Sequence, residues 1–147
     1  MKRIEPISRA HLDAVAAIEA VSFAEPWSAR ALELLLGDAA VGVVGLDANG
    51  CVVAYGGMLL APDEGQITNI AVLPKAKRQG YGLAVMQALE REAVDRGLLQ
   101  IALEVRASNE AAVALYEGLG YETVGRRRNF YRHPTEDALV MIKKMIN

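Results

Sequence analysis

Apolar residues recur at helical spacing in two short segments before residue 37. Their apolar positions are Leu12, Val15, Ile18, Leu32, Leu35 and Leu36. Ser8 and Ser28 precede the two segments, and a serine in that position can accept a free backbone N–H from the first helical turn. The pattern therefore predicts two helices near the beginning of the chain, capped by Ser8 and Ser28.

Three apolar runs follow, and turn-forming residues separate them. The runs cover residues 41–46, 51–60 and 66–72. The connections are Asp-Ala-Asn-Gly at 47–50 and Pro-Asp-Glu-Gly at 62–65, and both compositions are typical of tight turns. We therefore expect three strands, with antiparallel neighbours, and Cys51 as a small apolar residue within the second.

The second half of the chain alternates between helical and strand patterns. A long helix follows residue 82, with Leu83, Met86, Leu89 and Ala93 on one face, and it ends at Gly97. Beyond it, residues 99–105 predict a strand and Ser108 or Asn109 caps a short helix. Residues 121–131 and 138–146 predict the last two strands.

This order of elements predicts a mixed sheet. A helix joins the strands at 66–72 and 99–105, and the crossover rule makes two such strands parallel. The earlier strands are antiparallel hairpins, so the fold class is α/β, or α+β, with a mixed central sheet flanked by helices. With 147 residues, of which 52% are hydrophobic and 23% charged, we expect one compact domain over residues 1–147.

Charge and cysteine content exclude several classes of function. The net charge of −2 gives no general attraction to nucleic acids or acidic membranes. One cysteine excludes an internal disulfide and a cysteine-based zinc cluster, and neither histidine has a ligand-spaced partner, so no metal is expected. Residues 1–6 have no signal-peptide core, and no apolar run is long enough to span a membrane, so we expect a cytoplasmic protein.

A basic loop with two glycines, residues 77–82, joins the third strand to the long helix. Glycine lets the backbone approach a ligand closely, and a helix start offers free N–H groups to phosphate oxygens. The loop therefore indicates either a diphosphate site or a plain tight turn between strand and helix. It does not indicate a Rossmann fold, because it follows the third strand and lacks a third glycine.

The loop and several other blocks resemble the GNAT superfamily of acyl-CoA-dependent N-acyltransferases. The signature of that superfamily is Q/R-x-x-G-x-G/A after a strand, and here it is Lys-Arg-Gln-Gly-Tyr-Gly, in which Lys77 departs from the pattern but keeps the charge. Further blocks are similar to the branch that acetylates the N-terminal alanine of a ribosomal protein. They are Pro26-Trp27-Ser28, Asn69-Ile70-Ala71-Val72, Leu103 to Asn109, Ala114-Leu115-Tyr116-Glu117 and Glu136-Asp137-Ala138.

The resemblance implies a GNAT fold and a set of residues that contact acetyl-CoA. The third strand and Asn109 contact the pantetheine arm, and the loop and helix start hold the diphosphate through their backbone. The implied set is Ile70, Ala71, Val72, Arg78, Gln79, Gly80, Tyr81, Gly82, Leu83 and Asn109. In GNAT folds a bulge in this strand frees a backbone N–H, here that of Val72, which polarises the thioester carbonyl like an oxyanion hole.

Acetyl transfer to an amine needs a base for the ammonium proton and an acid for the departing thiolate. Glu104 lies in an otherwise apolar strand, and a carboxyl in such surroundings is a candidate base. It could instead face solvent or pair with Arg106. Tyr116 is the candidate acid, although its position on an apolar helix face also fits plain core packing. The resemblance favours the catalytic role for both residues.

Two acceptor classes and one non-catalytic function remain open at this point. The resemblance implies the N-terminal α-amine of a small-subunit ribosomal protein, attacked directly in a ternary complex, with Trp27 and Tyr131 lining the peptide groove. A lysine side chain, polyamine or other small amine is the second acceptor class, and a regulatory CoA-binding module is the non-catalytic alternative. The arginines at 126, 127, 128 and 132 form either a solvated strand face or a site for an acidic group.

Overall fold

The computed structural model describes residues 2–145, and seven strands within them form one sheet in the order β1-β2-β3-β4-β5-β7-β6. The strands are β1 Arg3–Pro6, β2 Ala40–Leu46, β3 Val52–Leu60, β4 Glu64–Val72, β5 Gln100–Arg106, β6 Glu122–Tyr131 and β7 Glu136–Lys144. The α-helices are α1 Leu12–Ser22, α2 Ala29–Leu32, α3 Tyr81–Asp95 and α4 Glu110–Gly118. Short 3-10 turns cover Arg9–His11, Glu33–Leu36 and Pro74–Ala76.

The predicted mixed sheet is confirmed. β4 and β5 are parallel, and every other pair of neighbouring strands is antiparallel. The pattern missed β1, because four residues that end in a proline carry no readable alternation. The predicted end of the last strand, residue 146, lies outside the described residues.

Local capping follows the sequence at Ser28 and Asn109, whereas α1 begins after His11 without the side-chain cap predicted from Ser8. The Ser28 hydroxyl accepts the Ala31 N–H at 3.1 Å, and the Asn109 side chain, rather than that of Ser108, accepts the Ala112 N–H at 3.1 Å. Ser8 begins the 3-10 turn that leads into α1. Cys51 differs from its prediction, because it is exposed in the turn before β3, where its N–H donates to Asp47.

The sheet separates two hydrophobic layers. On one face, α3 contributes Val85, Met86 and Leu89, which are fully buried. On the other face, α1 and α2 contribute Val15 and Leu32, which are equally buried. Helices therefore cover the central strands on both faces.

A bulge interrupts the pairing of β3 with β4. Gly56 lies opposite Ile70, but Met58 lies opposite Ile67, so two β4 residues, Thr68 and Asn69, face the single residue Gly57. A bulge of this kind bends a strand and redirects its side chains. The bulge lies next to the point where β4 leaves β5.

Gly56 provides a test of how tightly the helix packs on this strand. A Cβ at Gly56 would collide with Val85 of α3 and lie 2.7 Å from Ile70 Cδ1. We expect Gly56→Ala to lower the free energy of unfolding by about 1–3 kcal/mol, because overpacking forces neighbours off their preferred positions. Urea denaturation measures this change. Gly125→Ala on exposed β6, where a Cβ meets nothing within 4 Å, is the control, and equal stabilities for the two variants would contradict the packing argument.

Candidate active site

A cleft of about 670 Å³ opens where β4 and β5 separate. In the described chain these strands pair only between Glu64–Gln66 and Gln100–Ala102, and they diverge beyond that point. The segment after α1 forms one wall of the cleft, and the hairpin between β6 and β7 forms the other. The separation of two parallel neighbours therefore creates the site.

The structure brings four of the twelve predicted site residues to this cleft, whereas Gln79, Gly80 and Leu83 line a separate pocket at the start of α3. Ile70, Glu104, Asn109 and Tyr116 all line this one cleft. Trp27 lies on the wall after α1, and Tyr131 lies on the hairpin wall. The candidate base, the candidate acid and the two candidate groove aromatics thus share one space.

Glu104 is half-buried and pairs with an unexpected partner. Neither alternative from the sequence holds, because its side chain is only 19% exposed and its ion pair is with Arg127 rather than Arg106. Arg127 reaches over β7 from β6, and its Nε lies 2.5 Å from Glu104 Oε2. The contact is an ion pair without hydrogen-bond geometry, and an arginine that is 62% exposed contributes little to stability.

Tyr116 combines the two roles that the sequence left open. Its ring is buried and packs edge-to-face on Tyr121, with the ring centroids 5.9 Å apart. The same residue lines the cleft. Burial, followed by the charge of Tyr131, raises the pKa of Tyr116 to about 12. The phenol therefore stays protonated at neutral pH and has a proton to give.

Arg106 fastens the hairpin wall, a role that sequence reasoning did not assign. It donates to the carbonyl oxygens of Arg132 at 2.8 Å and Pro134 at 3.0 Å, and it pairs with Glu136 at 3.3 Å. Its guanidinium carbon also lies 4.5 Å from the ring centroid of Tyr131. The sequence did contain a signal for this role, because Arg106 and Glu136 both lie in the blocks that resemble the GNAT branch.

The pKa values of the hairpin wall reflect the same contacts. Burial, followed by the charge of Glu104, raises the pKa of Tyr131 to about 12. Hydrogen bonds from Ser108, together with Arg106, hold the pKa of Glu136 below its usual range. At neutral pH the hairpin therefore carries a neutral phenol in the cleft and a carboxylate on its anchor.

The free edge of β4 explains how the backbone near Val72 becomes available. Leu73 N–H bonds to the Val53 carbonyl at 2.8 Å, so strand alternation turns the Ala71 N–H toward β3 and those of Ile70 and Val72 toward the gap. Val72 pairs in register with Ala54, and the bulge lies earlier, at residues 68–69. Divergence of β5, rather than the bulge, leaves the Val72 N–H accessible.

The glycine loop has the geometry of an anion site. Arg78 and Gly80 both have left-handed backbones, with φ of 65° and 87°. Gly80 begins the 15-residue α3 without a side-chain cap, so the N–H groups of the first turn remain available to a ligand. A left-handed arginine is uncommon, and such strain is concentrated at ligand sites.

Individual loop residues differ in what they can offer. The Tyr81 side chain is buried, and its hydroxyl donates to the Leu46 carbonyl at 3.0 Å, so only its backbone is free. The Gln79 side chain folds back on the Lys75 carbonyl at 3.3 Å. At Gly82 a Cβ would lie 3.5 Å from Leu115 of α4, so the two helices meet there. The loop fits a ligand held mainly by backbone groups.

Two other kinds of site are absent from residues 2–145. None of the helices in that range is long and apolar enough to cross a membrane. The same residues contain no group of three or more His, Cys, Asp or Glu side chains placed to hold a metal ion.

Comparison with known proteins gives the family. Residues 12–121 match the Acetyltransferase (GNAT) family. The chain is 39% identical over 145 residues to the ribosomal protein bS18-alanine N-acetyltransferase of Escherichia coli K12, covering 96% of each chain. It is 34% identical to the N-alpha-acetyltransferase RimI of Mycobacterium tuberculosis, covering 94% of this chain and 89% of that one.

The fold comparison agrees with the sequence comparison. The crystal structure of the ribosomal-protein-S18-alanine N-acetyltransferase from Escherichia coli superposes with a TM-score of 0.92 at 36% identity, covering 100% of this chain and 96% of that one. The predicted GNAT fold is thereby confirmed. The chain belongs to the GNAT acetyltransferase family and is an acetyl-CoA-dependent N-acetyltransferase.

Proposed function

We propose that this enzyme acetylates the N-terminal α-amine of a protein, namely the N-terminal alanine of a small-subunit ribosomal protein. The observation that carries the chemistry is the convergence of Glu104 and Tyr116 on one cleft beside the free edge of β4. The acceptor class is supported by relatives named for alanine and N-alpha acetylation, which match nearly the whole chain. The enzyme acts in the cytoplasm as a single domain over residues 1–147.

The proposed reaction is a direct attack of the amine on the thioester within a ternary complex. An α-ammonium has a pKa near ~8, so roughly a tenth is neutral at pH 7 and a base raises that fraction. Glu104 accepts the ammonium proton, directly or through water, as the C–N bond forms. Tyr116 gives its proton to the sulfur as the C–S bond breaks. The net products are the acetylated amine and free CoA thiol.

The proposed acetyl-CoA site extends from the catalytic pair to the glycine loop. The backbone of Ile70, Ala71 and Val72 offers N–H and carbonyl groups to the pantetheine arm, as an added strand would use them. Asn109 contacts the same arm while it caps α4. The backbone from Arg78 to Leu83 holds the diphosphate at the start of α3. In this proposed site, main-chain groups supply most of the affinity for acetyl-CoA.

Lys77 tests whether main-chain groups dominate acetyl-CoA binding, because its side chain adds only an exposed charge. We expect Lys77→Ala to raise the acetyl-CoA KM by no more than about fivefold, since exposed charges contribute little. Steady-state kinetics at saturating acceptor measures the change. Lys75→Ala, an exposed lysine just before the loop, controls for net charge. A KM increase far above this range, specific to Lys77, would show that the side chain holds the cosubstrate.

The acceptor is tested with a pair of matched peptides. An alanine-starting peptide is compared with a twin whose N-terminus is blocked and which carries a lysine, and mass spectrometry locates any added acetyl group. We expect acetylation of the free α-amine alone. Modification of the lysine twin would favour the small-amine and lysine alternative, and CoA thiol release that does not depend on acceptor would contradict acetyl transfer altogether.

A further inference from the structure

Glu19 is a buried carboxyl directly behind one wall of the cleft. Its relative exposure is 0%, and it is the one charged side chain that is fully buried in the described chain. It lies near the end of α1, one turn after Val15 on the buried face of that helix. Burying a charged side chain costs free energy unless its oxygens accept hydrogen bonds. The hydrogen-bond partners of Glu19 therefore indicate its role.

Those partners come from two different parts of the cleft. Glu19 Oε1 accepts the Asn69 side-chain amide at 2.8 Å and the Trp27 backbone N–H at 3.3 Å. Asn69 belongs to the β4 bulge, and Trp27 belongs to the segment after α1. One carboxylate oxygen therefore ties α1, the bulge and the cleft wall together.

The second carboxylate oxygen of Glu19 increases the free-energy cost of burying this side chain. Glu19 Oε2 has no partner of hydrogen-bond geometry among residues 2–145, although the Tyr55 hydroxyl lies nearby. Burial raises the pKa of Glu19, and the neighbouring Tyr55, Trp27 and Asn69 offset part of that rise. Replacement by a well-packed apolar residue would avoid this cost, so stability alone does not account for a glutamate here.

The wall that Glu19 holds packs against the core through Phe23 and Trp27 but makes few hydrogen bonds. Residues 23–28 form neither helix nor strand, and within residues 2–145 the bond from Trp27 N–H to Glu19 is the one hydrogen bond made by residues 24–27. Yet this segment contributes Phe23, Ala24, Glu25 and Trp27 to the cleft. A segment with so few hydrogen bonds depends on each of them for its position.

We propose that Glu19 is a positioning residue for the acceptor: it fixes Trp27 and Asn69 so that the wall after α1 is preformed for the incoming amine-bearing chain. The role rests on the proposed function for the nature of that acceptor. Glu19 does not touch the reacting atoms, and it lies on the α1 side of the sheet, away from the glycine loop at the start of α3. Its loss should therefore weaken acceptor use and leave acetyl-CoA binding intact.

The first test separates the two substrates. Glu19→Ala should raise the acceptor KM by about tenfold or more, the effect of losing hydrogen bonds to a charged group, and should change the acetyl-CoA KM by less than about twofold. Glu19→Gln keeps an oxygen for both donors and should recover most of the wild-type acceptor KM. Asp13→Asn, an exposed carboxylate on the same helix, is the control.

The second test observes the wall itself. Trp27 is the chain's one tryptophan, so intrinsic fluorescence reports the position of this segment. We expect acrylamide to quench Trp27 more strongly in Glu19→Ala than in wild type or Glu19→Gln. Asn69→Asp serves if Glu19→Ala does not fold, because it replaces the amide donor with a carboxylate facing Glu19 and should give the same increase in quenching and acceptor KM.

The outcomes distinguish this proposal from the proposed function. A wild-type enzyme that does not acetylate the alanine peptide contradicts the proposed function, while the quenching comparison still decides the role of Glu19. An active wild type with equal acceptor KM in Glu19→Ala, or with equal quenching in the variants, overturns the positioning role. Equal losses for both substrates would also overturn it, because a general structural defect does not discriminate between them.

Discussion

Replacing Glu104 with glutamine should lower kcat by about 10²-fold or more, the usual effect of losing a general base. Glutamine keeps the size and polarity of the side chain but cannot take up the ammonium proton. The acetyl-CoA KM should stay near its wild-type value, because Glu104 lies on β5 rather than on the loop assigned to the diphosphate. Initial rates of CoA thiol release at saturating acetyl-CoA and alanine peptide measure the effect.

Two further variants make the Glu104 result specific. Glu117→Gln changes an exposed carboxylate on α4, next to Tyr116 in sequence, and should keep full activity. Arg127→Ala removes the ion-pair partner of Glu104 and should lower kcat less than Glu104→Gln does, because that arginine is mostly exposed. If kcat of Glu104→Gln equalled that of wild type, Glu104 would have no part in proton transfer.

Local features were predictable from the sequence because a few neighbouring residues determine them. Ser28 caps α2 and Asn109 caps α4 through bonds that span three residues each. The parallel relation of β4 and β5 followed from the helix between them, which is a constraint of chain connectivity. The resemblance to GNAT proteins then placed Glu104 and Tyr116 on the sides of one site.

Long-range pairings could not be obtained in the same way. Arg127 is 23 positions from Glu104 in the chain, and only the strand order β5-β7-β6 brings the two together. Glu19 and Asn69 are 50 positions apart and meet because the bulge turns Asn69 toward α1. The one sequence signal was a glutamate among the apolar positions of α1, which periodicity alone treats as an interruption.

Replacing Tyr116 with phenylalanine should lower kcat by about 10²-fold, since general acid catalysis typically contributes at least that much. Burial and the charge of Tyr131, rather than a hydrogen bond, raise the pKa of this hydroxyl, so its removal should change the free energy of unfolding by less than about 1 kcal/mol. The ring keeps its contact with Tyr121. Kinetics and urea denaturation on the same preparation separate lost chemistry from lost packing.

The pH dependence of kcat and a variant of the neighbouring Tyr121 provide two further tests of Tyr116 as the general acid. Its raised pKa, about 12, favours the neutral phenol, so the acid is present below that pH and lost only above it. Wild-type kcat should therefore show no fall near pH 10, where an ordinary tyrosine ionises. Tyr121→Phe removes a hydroxyl from a buried tyrosine outside the cleft and should leave kcat unchanged. Full activity in Tyr116→Phe would assign the proton to water, whereas equal losses in both variants would assign the effect to packing between the two rings.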